Sequence, residues 1–217
     1  MSLKLFFAPG ASSLAAHILL REAEIPFTLE RVDLIAKLWS GGHYDQINPK
    51  LYVPALMLPS GDVLTEGNII LQYISDHAPS KHLLPANHEL DRYRALEWLN
   101  FIGMEIHKNF ITRERHGGVA ANFLAKTRDG QAFTRELVTP RLSYVARHLE
   151  TQPFLLGDHF SAPDAYFFVM LTWAGRLALD ISHWPSLTAF FERVKSRPAV
   201  AETLQIEGPP HSLTPEG

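Results

Sequence analysis

The chain of 217 residues contains no cysteine. That absence excludes disulfides, thiolate-ligated zinc, iron–sulfur clusters and a cysteine nucleophile. Positive charge is not in excess either: 20 Lys+Arg stand against 23 Asp+Glu, a net charge of −3. Without a basic stripe the chain has no electrostatic footprint for nucleic acid. Long apolar runs are missing too. The longest, Ala165 to Gly175, is enclosed by Asp164 and Arg176. It is far short of the roughly 20 residues of a membrane span, so it predicts a buried core helix and no membrane association. Met1 to Phe7 offers no long apolar segment before Pro9-Gly10, so no signal peptide is expected. The 11 histidines show no H-E-x-x-H or similar spacing, and no metal site is expected. Together these absences predict a soluble, cytoplasmic protein.

What is present is an ordinary globular composition, 46% apolar and 20% charged, that changes character near residue 80. Leu3–Phe7, ended by Pro9-Gly10, suits a buried strand. Ser12–Ala23 reads as a helix with Leu14, Ile18 and Leu19 on one stripe. Phe27–Val32 alternates like a strand, and a looser stretch runs to Asn48-Pro49. Ala55–Leu58 and Val63-Leu64 flank Pro59-Ser60-Gly61-Asp62, a hairpin pattern, and Glu66–His77 is helical again. The order β-α-β-α-β-β-α implies a small mixed sheet with helices on it. After a connector through Asn87 the pattern is helical. A long helix starts near His88, and others follow at about Gln131–Glu150, Ser161–Leu179, Ser186–Ser196 and Ala199–Gln205. Pro140 predicts a break or kink. The fold class is therefore α+β, with a first domain at 1–80, an all-α domain at 88–207 and a loose tail at 208–217.

Several features are candidates for chemistry. Pro9-Gly10-Ala11-Ser12-Ser13-Leu14 is a strand–turn–helix junction. Its unpaired amides and partial positive charge suit an anion, a thiolate included, and Ser12 or Ser13 adds a hydroxyl donor; by pattern alone a plain N-cap is the commoner reading. Val53-Pro54 opens an apolar strand. A trans bond there is ordinary, whereas a cis bond would leave the Val53 N–H and C=O at a sheet edge for an extended peptide. Thr65-Glu66-Gly67 opens a helix and suits either a carboxylate or simple capping by Thr65. Ser161-Ala162-Pro163-Asp164 is a capping box with a folding role. His107 beside Lys108 is by itself an unremarkable histidine, and Arg113 to His116 mixes charges like a solvated face.

In order and spacing, these stretches resemble the cytosolic glutathione S-transferase family, and its bacterial beta-type branch in particular. The resemblance runs from residue 3 to 205. It rests on Pro9–Leu14 with His17, Val32-Asp33-Leu34 with Lys37, Ile47–Lys50, Tyr52–Leu56 and Leu64–Gly67 with Tyr73. In the helical part it rests on Trp98–Ile102, Glu105–Lys108, and Gly157-Asp158 with Ser161 and Asp164. It implies a thioredoxin-like N-terminal domain with a mixed four-stranded sheet, an all-helical C-terminal domain and a homodimer. It implies glutathione as co-substrate and a small electrophilic second substrate. It also implies that Pro54 is cis and that Val53 pairs with the glutathione backbone. The γ-glutamyl end then falls on Glu66 and Gly67, the glycine end on Lys37, and the thiol near Asn100 and His107.

Two departures stand out against that branch. Ser12 occupies the place where it usually carries Cys, so no mixed disulfide with glutathione forms and a hydroxyl is left to bond the thiolate. Gly67 replaces the usual Ser, removing a hydroxyl from the γ-glutamyl site. The catalytic residues expected are Ser12, Ser13 and His107. The reaction expected is conjugation of glutathione to an apolar electrophile, as in detoxification. Trp39, Phe110, Arg113 and Phe168 are expected to line the second-substrate pocket. A glutathione-dependent peroxidase or isomerase, or a non-catalytic glutathione or ligand binder, are the alternatives on the same scaffold.

Overall fold

The apolar run Leu3–Phe7 forms β1, and its neighbours complete a four-stranded sheet. β2 (Phe27–Arg31) lies parallel to β1, with Leu5 opposite Leu29. The two are joined across α1 (Ser13–Glu22), the crossover that a parallel pair requires. β5 (Ala55–Met57) is antiparallel to β1, with Leu5 opposite Leu56. The hairpin through Pro59–Asp62 then brings β6 (Val63–Thr65) antiparallel to β5. The order β2-β1-β5-β6, followed by α2 (Gly67–Asp76), is the expected thioredoxin-like mixed sheet. The looser stretch holds a two-residue ribbon, β3 (Leu38–Trp39) with β4 (Gly42–His43). This computed structural model describes residues 2–111, 115–116, 119–120 and 124–210.

The chain separates into two compact units. One runs to Arg92 and resumes at Ser196; the other is Tyr93–Lys195. α8 (Pro198–Glu207) therefore belongs with the sheet unit, where the sequence reading placed it in the helical domain. The reason is local packing. α8 lies on α1, and the buried Glu207 carboxylate accepts from His17 Nδ1 at 2.9 Å and from the Gly10 N–H at 3.2 Å. Arg21 and Arg197 add ion pairs to Glu202 and Glu22.

In the helical unit α3 (Leu90–Phe101) continues as a π-helical stretch, Ile102–His107, and a last α turn, α4 (Lys108–Phe110). A small ribbon pairs β7 (Arg115–His116) with β8 (Val119–Ala120). α5 (Arg128–His148) runs through Pro140 without the expected break. Proline leaves a carbonyl without its donor and crowds the turn below it. Around that turn Thr139 Oγ1 donates to the Arg135 carbonyl and the Arg141 guanidinium to that of Leu137. α6 (Ala162–Arg176) is the central, almost fully buried helix, as its apolar run predicts. Its capping box forms: the Asp164 carboxylate accepts the Ser161 N–H and the Leu155 N–H, both at 2.8 Å. α7 (Pro185–Lys195) closes the unit, with Phe191 stacked on Phe168 at 5.1 Å. Among the described residues, no helix is long and apolar enough to cross a membrane.

Candidate active site

The site is built where β5 begins and α1 starts. Val53 sits just ahead of β5, its side chain buried with Phe6, Ala8, Val32, Tyr44 and Ala55. The Val53–Pro54 bond is cis. The peptide before it is fixed by two buried donors: Tyr44 Oη and Asn48 Nδ2 each donate to the Tyr52 carbonyl at 2.8 Å. In a trans peptide the carbonyl and the next N–H point in opposite directions. Anchoring the Tyr52 carbonyl on Tyr44 and Asn48 therefore turns the Val53 N–H away from that buried pair. Neither Val53 polar group enters the ladder, which starts at Ala55. The sequence reading put this backbone on a sheet edge. It lies instead at the end of a strand flanked on both sides, because β1 and β6 both pair with β5.

The tip of α1 meets this segment. Gly10 adopts φ +68, a conformation open to glycine at little cost, and the Ala11 N–H closes the turn on the Ala8 carbonyl. Ser12 is the N-cap, but its side chain caps nothing: Oγ donates to the Val53 carbonyl at 3.1 Å. Ser13 is engaged differently from Ser12. It lies inside the helix, fully buried, and its hydroxyl accepts the Ala8 N–H and donates to the Ala8 carbonyl. A hydroxyl engaged twice by the backbone at zero exposure closes the turn and has no proton to offer a thiolate. The half-buried Ser12 remains as the hydroxyl beside Val53.

At the other end of β6, Thr65 is not the cap of α2. Glu66 is, in a left-handed conformation with φ +68, and its carbonyl accepts the Ile69 and Ile70 amides. Thr65 Oγ1 and the Glu66 carboxylate both accept from Lys50 Nζ. Gly67 is the first helical residue, and a Cβ added there would meet only Pro54 Cγ at 4.0 Å. Lys37, also at positive φ, is held in a turn in which Asp33 Oδ1 accepts the Ile35 and Ala36 amides. Partial burial lowers the Lys37 pKa, against the opposing pull of Tyr52 and Asp33. Trp39 packs edge-on against Phe6 at 5.3 Å.

Asn100 is exposed on α3, in the helical unit. His107 closes the π-helical stretch of that unit. Its Nδ1 lies 2.5 Å from Tyr166 Oη, and the Trp173 ring stands edge-on at 4.9 Å. Burial, with a smaller contribution from Lys108, pushes the imidazole down to about 4, so the ring is neutral at pH 7. Phe110 and Phe168 are both fully buried core residues, against Trp173 and Phe191 respectively. Apolar side chains on a helix of this unit find one another before they find a ligand. Arg113 lies outside the described residues. Among the described residues no cluster of three or more His, Cys, Asp or Glu is placed to hold a metal ion.

The sequence reading missed three residues that build this site. Tyr44 and Asn48 orient the Val53 peptide, and Glu207 holds the Gly10 amide. Asn48 before Pro49 carried a signal, since Asn accepts the amide two residues on; it does so here from Lys50 at 3.1 Å. Nothing local marks Glu207, which is 197 residues from Gly10.

Comparison with known proteins bears on the same segments. The model of the glutathione S-transferase N-terminal domain matches residues 11–77, and that of the C-terminal domain matches residues 125–198. Glutathione S-transferase GstA of Escherichia coli O157:H7 is 39% identical over 207 residues, covering 95% of this chain and 99% of that one. A sphingomonad glutathione S-transferase complexed with glutathione superposes with a TM-score of 0.85 at 38% identity, over 94% of this chain and 98% of that one. The bacterial beta class enzyme of Sphingomonas chungbukensis gives 0.85 at 37%, with the same coverage. This chain belongs to the glutathione S-transferase family.

Proposed function

We propose that the protein is a glutathione transferase that joins the sulfur of glutathione to an electrophilic carbon of a small apolar molecule. The observation that carries this reading is the 3.1 Å contact between Ser12 Oγ and the Val53 carbonyl. It puts a hydroxyl and the N-terminus of a ten-residue helix beside backbone that has no strand partner. Glutathione lies extended along Val53, with its cysteinyl N–H donating to the Val53 carbonyl and its cysteinyl C=O accepting the Val53 N–H. The γ-glutamyl end reaches Glu66 and Gly67, and the glycine end reaches Lys37.

A serine hydroxyl has one proton. Without ligand, Ser12 gives it to the Val53 carbonyl. When the cysteinyl N–H takes over that carbonyl, Ser12 turns its proton to the sulfur. The thiol releases its proton to solvent, and the thiolate is held by the hydroxyl and by the first amides of α1. The thiolate then attacks the electrophilic carbon. The S–C bond forms, and the leaving group departs with its electron pair. Catalysis is chiefly positioning plus a lowered thiol pKa.

The protein acts as a cytoplasmic homodimer in this reading. The exposed Tyr93, Met104, Phe133 and Tyr144 of the helical unit supply apolar surface for a second copy to cover. The test is the pH dependence of conjugation to a chromogenic aryl halide, wild type against Ser12→Ala. The alanine variant is expected to need a higher pH for half-maximal rate; an unchanged profile eliminates Ser12 as the activator. Glutathione binding without turnover of any electrophile would favour a binding protein instead.

A further inference from the structure

Lys50 has no part in the reading above, and its surroundings point to one. Its amide donates to Oδ1 of the buried Asn48 at 3.1 Å, and the next amide, of Leu51, donates to the Asn48 carbonyl at 2.8 Å. The chain at Lys50 is thus tied to the same asparagine that orients the Val53 peptide. From there Nζ reaches Thr65 Oγ1 at 2.8 Å and Glu66 Oε1 at 2.5 Å, leaving the lysine and glutamate side chains 45% and 65% exposed.

An α-amino-acid head group carries an ammonium and a carboxylate. Glu66 answers the ammonium. The first amides of α2 suit the carboxylate, but Gly67 has no side chain to add a further donor although the space for it is open. An ammonium with three protons stands one residue away on the Glu66 carboxylate. A zwitterion docking on this Lys50–Glu66 pair meets opposite charge at both of its ends.

We propose that Lys50 is a specificity-determining residue for the glutathione head group, giving its carboxylate the donor that Gly67 lacks. The inference rests on the reading of Glu66 and Gly67 as the γ-glutamyl site. A lysine that only competed with the ligand's ammonium for Glu66 would have the opposite effect on affinity, so the sign of the change decides.

The experiment is calorimetric titration of glutathione into the full chain as wild type, Lys50→Met, Lys50→Arg, Gly67→Ser and the Lys50→Met/Gly67→Ser double variant. Melting of each chain without ligand is recorded alongside. Lys50→Met is expected to weaken glutathione binding about threefold, the scale of an exposed charge contact. Lys50→Arg is expected to restore it. In the Gly67→Ser background the loss is expected to shrink, because the added hydroxyl takes over the carboxylate; a merely structural role would leave the loss the same in both backgrounds. Unchanged or tighter binding by Lys50→Met, or equal losses in the two backgrounds, overturns the proposal while the γ-glutamyl reading stands. Failure of the wild type to bind glutathione overturns both.

Discussion

Replacing Glu207 by glutamine changes one atom type in a buried network and leaves its shape. Arg21 Nε donates to His17 Nε2 at 3.2 Å, and a guanidinium is only ever a donor. The His17 ring therefore accepts at Nε2 and carries its proton on Nδ1, which donates to Glu207 Oε1 at 2.9 Å, while Oε2 accepts the Gly10 N–H. A glutamine has one acceptor where two donors converge. With its oxygen toward His17, its NH2 faces the Gly10 N–H. With its oxygen toward Gly10, its NH2 faces a ring already accepting from Arg21. Either way one of the two donors loses its carboxylate acceptor, at a cost of about 1–3 kcal/mol. Glu207→Ala takes the carboxylate acceptor from both and should cost about twice that. In a chain of this size each kcal/mol moves Tm by about 2–4 °C. Glu207→Gln should therefore melt roughly 4–8 °C below wild type, taking about 2 kcal/mol as the cost, with the alanine variant lower still. The assay is thermal unfolding followed by circular dichroism at fixed pH. A glutamine variant that melts with the wild type would refute the converging-donor argument.

Gly67→Ser should tighten glutathione binding about tenfold, since a hydrogen bond to a charged group contributes roughly 1.5–3 kcal/mol and the added Cβ meets nothing closer than 4.0 Å; titration calorimetry reads this directly, and no gain would show that the head group lies elsewhere. His107, held at about 4 in the fold against an ordinary 6.5, gives a pH dependence of defined sign. The unfolded chain takes up this proton as pH falls through 6.5 while the folded chain does not, so the His107 contribution to stability is present above 6.5 and is lost from there down toward 4. Nuclear magnetic resonance of the ring should show no transition near neutral pH; a midpoint near 6.5 would contradict its burial.

What was legible in the sequence was local. The Pro59–Asp62 turn set the hairpin, and Ser161 with Asp164 set the start of α6, because each acts within a few residues. The sheet followed from the order of short apolar runs. The roles of the two serines were not legible. Ser12 bonds to Val53, 41 residues away, whereas Ser13 turns back on Ala8, and only the rotation of α1 on the sheet decides which faces which. The same holds for Thr65 and Glu66, adjacent residues whose capping roles turn on one left-handed backbone conformation. Phe110 and Phe168 misled because an aromatic side chain in an apolar pattern suits a core and a ligand pocket equally well.

In the proposed function the tip of α1 holds the glutathione sulfur as an anion, and the ionisation of that sulfur reports whether it does. Ultraviolet absorbance of the thiolate, followed against pH for glutathione bound to wild type and to Ser12→Ala, gives the bound thiol pKa in each. A pKa below that of free glutathione is expected in the wild type, with a rise of about one unit in the variant, the equivalent of a single hydrogen bond to the anion. Equal values in the two proteins would contradict it.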